Sequence, residues 1–165
     1  VATVAECPAD DGFLLALMTA MTAELVVVYD LPPDARPRPL DPASRYLLAR
    51  DGARAIGCCA VEPISPGLYE LKRMFVAPDA RGTGVSSALI AESERLARSG
   101  GGVRLRLETG VRQPAAMRLY ERAGYRRVPN FPPHEADPES VCYEKVLRPE
   151  ERREAGGQTS RSRDS

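Results

Sequence analysis

The segment Arg81-Gly82-Thr83-Gly84-Val85-Ser86-Ser87 lies between a strand-like run ending in Met74-Phe75-Val76 and a stretch where Val85, Leu89, Ile90 and Leu96 recur at helical spacing. A strand that enters a helix through a glycine-rich turn restricts the chain to folds that set a helix N-terminus at the end of a sheet strand. The first amides of such a helix have no intrahelical acceptor, and the macrodipole adds partial positive charge, so the turn suits an anion, phosphate above all. Gly82 and Gly84 let the backbone approach that anion, and Arg81 adds a full charge. A lone Gly-x-Gly is weak, because a plain turn needs the same residues. Its surroundings have to decide.

Upstream, residues 2–5 read as a short strand, and Phe13, Leu14, Leu17, Met18, Met21, Leu25 and Val28 fall at helical spacing, giving one long helix or two joined by a bend. Residues 30–42 are dominated by Pro, Asp and Arg and form a loop. Three strand-like stretches follow, at 45–50, 53–61 and 68–76, separated by Asp51-Gly52 and by Pro63, Pro66 and Gly67, the pattern of an antiparallel meander. After the helix of residues 82–99 come a strand at 103–107, a helix opened by Pro114 with Met117, Leu119 and Tyr120 inward, a stop at Gly124, and closing strands at 125–128 and 141–147. The strands before Gly82 and after Gly102 are joined by a helical crossover and should be parallel neighbours in a mixed sheet. Residues 1–147 thus form one domain, and the charged, small and polar stretch 148–165 reads as a mobile tail.

With 43% hydrophobic and 28% charged residues the chain is of globular composition, and a formal net charge of +0 disfavours a nucleic-acid partner. Cys7, Cys58, Cys59 and Cys142 lack the spacing of a metal site or a disulfide scaffold, so no metal is expected and the thiols read as small buried residues. No apolar run approaches the ~20 residues of a membrane span, and no targeting segment opens the chain, which places the protein in the cytoplasm without a membrane partner.

Gly82, Gly84, Ser87 and the later Glu108 imitate a dinucleotide fingerprint, but five residues including Pro78 separate Val76 from Gly82, and an antiparallel meander does not suit a doubly wound sheet. The chain instead resembles the GNAT superfamily of N-acetyltransferases. Met74-Phe75-Val76, Pro78, Arg81-Gly82-Thr83-Gly84-Val85 and the distant Leu119-Tyr120-Glu121-Arg122-Ala123-Gly124-Tyr125 carry that resemblance, and the element order extends it from about residue 2 to 147. It implies an α/β (α+β) fold with a mixed, mostly antiparallel central sheet of about seven strands covered by about four helices. It also implies acetyl-CoA as cosubstrate, its pantetheine arm lying along the backbone of Met74, Phe75 and Val76 and its pyrophosphate held by Arg81, Gly82, Thr83, Gly84, Val85, Ser86 and Ser87. The family motif, Gln or Arg, two residues, Gly, one residue, then Gly or Ala, falls on Arg81, Gly84 and Ser86, so Ser86 is a departure.

By the same resemblance Glu70 is the candidate base, with a carboxylate that faces solvent or pairs with Lys72 or Arg73 as the plain alternative. Tyr120 is the candidate acid or hydrogen-bond donor to the CoA sulfur, or else an aromatic core residue. Gln113, standing where many relatives carry an asparagine, is by that resemblance a candidate cofactor contact, and His134, among prolines, reads as a surface residue. The resulting expectation is direct acetyl transfer to a primary amine of a small molecule or peptide, the acceptor being shaped by residues 30–42 and 129–140. A non-catalytic CoA-binding sensor is the alternative. Dimerisation is common in the family, so a homodimer is admitted, although no segment marks an interface.

Overall fold

The breakers in the sequence set the element boundaries. In order, the chain forms β1 (Thr3–Cys7), α1 (Gly12–Tyr29), β2 (Arg45–Asp51), β3 (Arg54–Ser65), β4 (Leu68–Val76), a 3-10 turn (Pro78–Ala80), α2 (Val85–Ser99), β5 (Arg104–Gly110), α3 (Pro114–Arg122), β6 (Arg126–Val128) and β7 (Ser140–Val146). The computed structural model describes residues 2–149, so the expected tail lies almost wholly outside the described residues.

The strands make one seven-stranded sheet in the order β1-β2-β3-β4-β5-β7-β6. Every pairing is antiparallel except β4 with β5, where α2 supplies the crossover that a parallel pair requires. The mixed, mostly antiparallel sheet is as expected. Three α-helices rather than about four cover it among the described residues. The difference lies at the start: residues 13–29 contain neither Gly nor Pro, so nothing breaks the run, and it forms a single helix of 18 residues. Asp11 caps that helix by accepting the amides of Phe13 and Leu14, and Asp30 ends it in the left-handed region.

Helix α1 also corrects the membrane argument. Its mean hydropathy of 1.8 over 18 residues makes it long and apolar enough to cross a bilayer. Thr19, Thr22 and Glu24 interrupt the apolar run by eye while leaving the average high. In the structure Leu14, Leu17 and Met18 pack instead against Tyr46, Leu48, Cys58, Ala60 and Phe75 on one face of the sheet. The opposite face packs under α2 and α3, where Leu71, Val76, Val85, Leu89, Leu105, Leu107 and Tyr120 belong to one cluster. The alternation of Leu105 and Leu107 with Arg104, Arg106 and Glu108 therefore assigns β5's polar residues to the α1 face.

Candidate active site

The central feature is a gap in the sheet. β4 and β5 pair from Leu68 with Arg104 to Leu71 with Leu107 and no further. β4 nevertheless continues to Val76 along β3, and β5 continues to Gly110 along β7. Residues 72–76 and 108–110 therefore line a V-shaped opening with backbone groups that no neighbouring strand uses. A register shift in the β3–β4 pairing and a left-handed Arg73 (φ 55°) bend β4 at this opening. The Arg73 guanidinium donates to the carbonyls of Arg38 (3.2 Å) and Pro39 (2.9 Å), tying the proline-rich loop to the bend.

The glycine-rich turn sits at the wide end of the V. Gly82 and Gly84 have φ of 76° and 88°, with Gly84 as N-cap of α2, and a side chain at either would meet no atom within 4 Å. Their glycine identity thus serves the backbone conformation, and the space beside them is open. The amides of residues 82–87 find no backbone acceptor among the described residues, which is the anion-receptive state of a helix start. Thr83 turns its hydroxyl to the Ala80 carbonyl (2.5 Å). Arg81 points elsewhere: its Nε donates to the Val76 carbonyl (3.0 Å) and its guanidinium pairs with Glu24 of α1 at 2.6 Å. Next to this turn a cavity of about 240 Å³ separates α2 from α3, walled by Ile90, Ala91 and Leu119 and bounded by Ser87, Arg122 and Lys145.

Tyr120 projects from α3 into the core and is 5% exposed, with its ring edge-on to Tyr125 at 5.9 Å and tilted against Tyr143. The core aromatic and the proton donor are thus compatible in one residue. Its hydroxyl has no hydrogen-bond partner among the described residues, although no fully buried side-chain polar atom there is unsatisfied. The phenol tip therefore reaches accessible space. Burial, then the Cys59 thiol and the Glu108 charge, push its pKa up, so the proton stays on the oxygen at neutral pH.

Glu70 is buried, and its partner is neither Lys72, which pairs with Glu62, nor Arg73. Arg106, directly across the parallel ladder, donates to its Oε2 at 3.2 Å, and the two side chains are only 7% and 16% exposed. Phe131, from the segment between β6 and β7, covers the Arg106 guanidinium at 3.9 Å. Two residues along β5 stands Glu108, its side chain 26% exposed, with Oε1 accepting the Ser140 hydroxyl at 2.8 Å and Oε2 4.0 Å from His134 Nε2. His134 is edge-on to Phe131 and half-buried, so it belongs to this cluster rather than to the outer surface.

Glu108 is the carboxylate on this face that combines partial exposure with an electrostatic effect on Tyr120. In the sequence it stands out only as a feature of the rejected dinucleotide fingerprint. The alternation along β5 carries the signal that could have found it. Gln113 Nε2 donates to the Tyr29 hydroxyl at 3.3 Å, and that hydroxyl fills the space of a Cβ on Gly110, so a side chain there would displace Tyr29. The thiols are unsuited to attack: burial pushes Cys58 up strongly, Cys59 to about 12 and Cys142 upward as well.

Residues 14–125 match the Acetyltransferase (GNAT) family. An IAA acetyltransferase of Azospirillum brasilense is 40% identical over 107 residues, 64% of this chain and 70% of the relative. An uncharacterized N-acetyltransferase of Schizosaccharomyces pombe is 34% identical over 87 residues, and that match spans about half of its length, 53%. Among solved structures, a candidate acyl-CoA N-acyltransferase from Klebsiella pneumoniae superposes with a TM-score of 0.76 at 34% identity, covering 90% of this chain and 99% of that one. A GNAT acetyltransferase from Elizabethkingia anophelis, solved with acetyl-CoA bound, shares the fold at a TM-score of 0.64 and 19% identity, over 88% and 98% of the two chains. With the splayed parallel pair, the glycine-rich helix start and the family match over most of the domain, the chain belongs to the GNAT family of acetyltransferases.

Proposed function

We propose that this protein transfers the acetyl group of acetyl-CoA directly to a primary amine of a small molecule or peptide, without an acyl-enzyme. The observation that carries the reading is the gap between β4 and β5, which leaves two strand edges free to receive a peptide-like arm next to an anion-receptive helix start. The residues fit the cosubstrate in sequence along the gap. Met74, Phe75 and Val76 offer backbone to the pantetheine amides, the amides of residues 82–87 receive the pyrophosphate, and the cavity beside Ser87 offers apolar walls and the cation Arg122 to the adenosine end, its Lys145 being paired with Glu94. The fold relative from Elizabethkingia, which holds acetyl-CoA, supports the choice of cosubstrate.

Acetyl-CoA supplies an activated thioester; the rest of the chemistry is proton management by this chain. Tyr120, kept neutral by burial, donates a hydrogen bond to the sulfur as negative charge develops there. Glu108 takes the proton of the attacking amine, directly or through water, because it is partly exposed and its charge acts on the phenol. Glu70 is neutralised by Arg106 and holds the two strands at the apex of the gap. The high thiol pKa values support a route without a cysteine nucleophile.

Thiol release from acetyl-CoA, followed across a panel of small amines and peptides, tests the reading; turnover with at least one amine is expected. Tight CoA binding with no amine accepted would instead make the protein a sensor. To assign the base, Glu108→Gln should lower kcat/KM by about a hundredfold, whereas Glu70→Gln should act chiefly on thermal stability. A large rate loss in Glu70→Gln at unchanged stability, with Glu108→Gln fully active, would return the role to Glu70.

A further inference from the structure

Helix α1 has one charged residue, Glu24, and it faces the anion turn. Its carboxylate lies 2.6 Å from the Arg81 guanidinium, whose Nε is simultaneously fixed on the Val76 carbonyl and whose plane lies 5.7 Å from the Phe75 ring. Five residues later Tyr29 meets the other side of the gap, where Gln113 Nε2 donates to its hydroxyl and Arg112 donates to the Val28 carbonyl at 3.4 Å. The second half of α1 therefore runs from the turn after β4 to the loop after β5, and is tied at both. It crosses the open end of the V on the face where Glu70, Arg106 and Glu108 stand.

One guanidinium cannot serve two anions equally. Where Glu24 holds Arg81 near Val76 and Phe75, the charge that the turn could give to a phosphate is shared with α1. What α1 receives in return is a fixed position over the reaction face. We infer that Glu24 is a positioning residue that couples the cofactor turn to the acceptor wall, weakening the hold on acetyl-CoA while ordering the side from which the amine enters. The inference rests on the acetyltransferase reading.

Its signature is a pair of changes of opposite sign. In Glu24→Gln the helix keeps a polar side chain of equal length but releases the full Arg81 charge, so acetyl-CoA should bind about threefold more tightly by calorimetry. Over the same change the KM of the amine should rise about three- to tenfold, since α1 loses its tie at one margin of the gap. A merely structural role would weaken both together and lower the unfolding temperature. In Glu24→Gln/Arg81→Gln the tightening should vanish, because no guanidinium is left to release, and the non-additivity reads the coupling directly. Parallel weakening of both substrates, or no change in either with an active wild type, overturns the coupling and leaves the acetyltransferase reading intact. A wild type that does not bind acetyl-CoA overturns both.

Discussion

Tyr120→Phe should slow acetyl transfer by about ten- to a thousandfold while leaving the folded protein as stable as before. The separation of these two effects follows from the geometry. Phenylalanine keeps the ring that packs edge-on against Tyr125 and tilted against Tyr143, and the lost hydroxyl orphans no partner among the described residues. Removing a polar group that bonds nothing in the protein costs little and spares its desolvation. Any rate loss then belongs to the chemistry at the sulfur. Because burial pushes the phenol's pKa up, its proposed role is to hold a proton against a developing thiolate rather than to surrender one early, and the rate of the wild type should show no loss on the alkaline side from this group up to and beyond the normal tyrosine range. Single-turnover transfer and thermal unfolding, measured on the same preparation, check the result. A variant with unimpaired transfer would reduce Tyr120 to a core aromatic.

The second large effect is on folding. Arg106→Met should destabilise the protein by about 3–5 kcal/mol, because it strips the partner from a Glu70 carboxylate that is almost wholly withdrawn from water. Methionine fills much of the space under Phe131 but offers no donor, and the cation under that ring is lost as well. The instructive control is Glu70→Leu/Arg106→Met. Replacing both members by apolar groups removes the uncompensated charge, so most of the lost stability should return. Denaturant unfolding of the two variants distinguishes this account from one in which the arginine contributes only through its packing, for which the double variant would be no better than the single.

Much of the architecture was legible because it is local. The alternation in the meander, the Asp51-Gly52 turn and the Gly100-Gly101-Gly102 stop mark strand and helix ends from neighbouring residues alone, and the crossover rule then made β4 and β5 parallel neighbours. Helix α1 was legible in place but not in character, since its single unbroken length and high mean hydropathy depend on a sum that Thr19, Thr22 and Glu24 disguise. The candidate site was legible as positions along β4, the turn and α3, but its partnerships were not. Glu24 with Arg81, Arg106 with Glu70 and Tyr29 with Gln113 are separated by 57, 36 and 84 residues, and only the strand order and the path of α1 decide that they meet. Glu108 shows the same limit: its face follows from the alternation on β5, but its contacts with Ser140 and His134 follow from the strand order that sets β7 beside β5.

That opening has a mechanical consequence. With the backbone ladder between β4 and β5 confined to Leu68–Leu71 against Arg104–Leu107, the N-terminal and C-terminal halves of the sheet meet along a short seam. Side chains fasten it further: Glu70 to Arg106 within the seam near its apex, and α1 beyond it, reaching both margins through Glu24 and Tyr29. Residues that border the gap are thus also the rivets of the molecule, so that a substitution among them changes the joint along with the cleft.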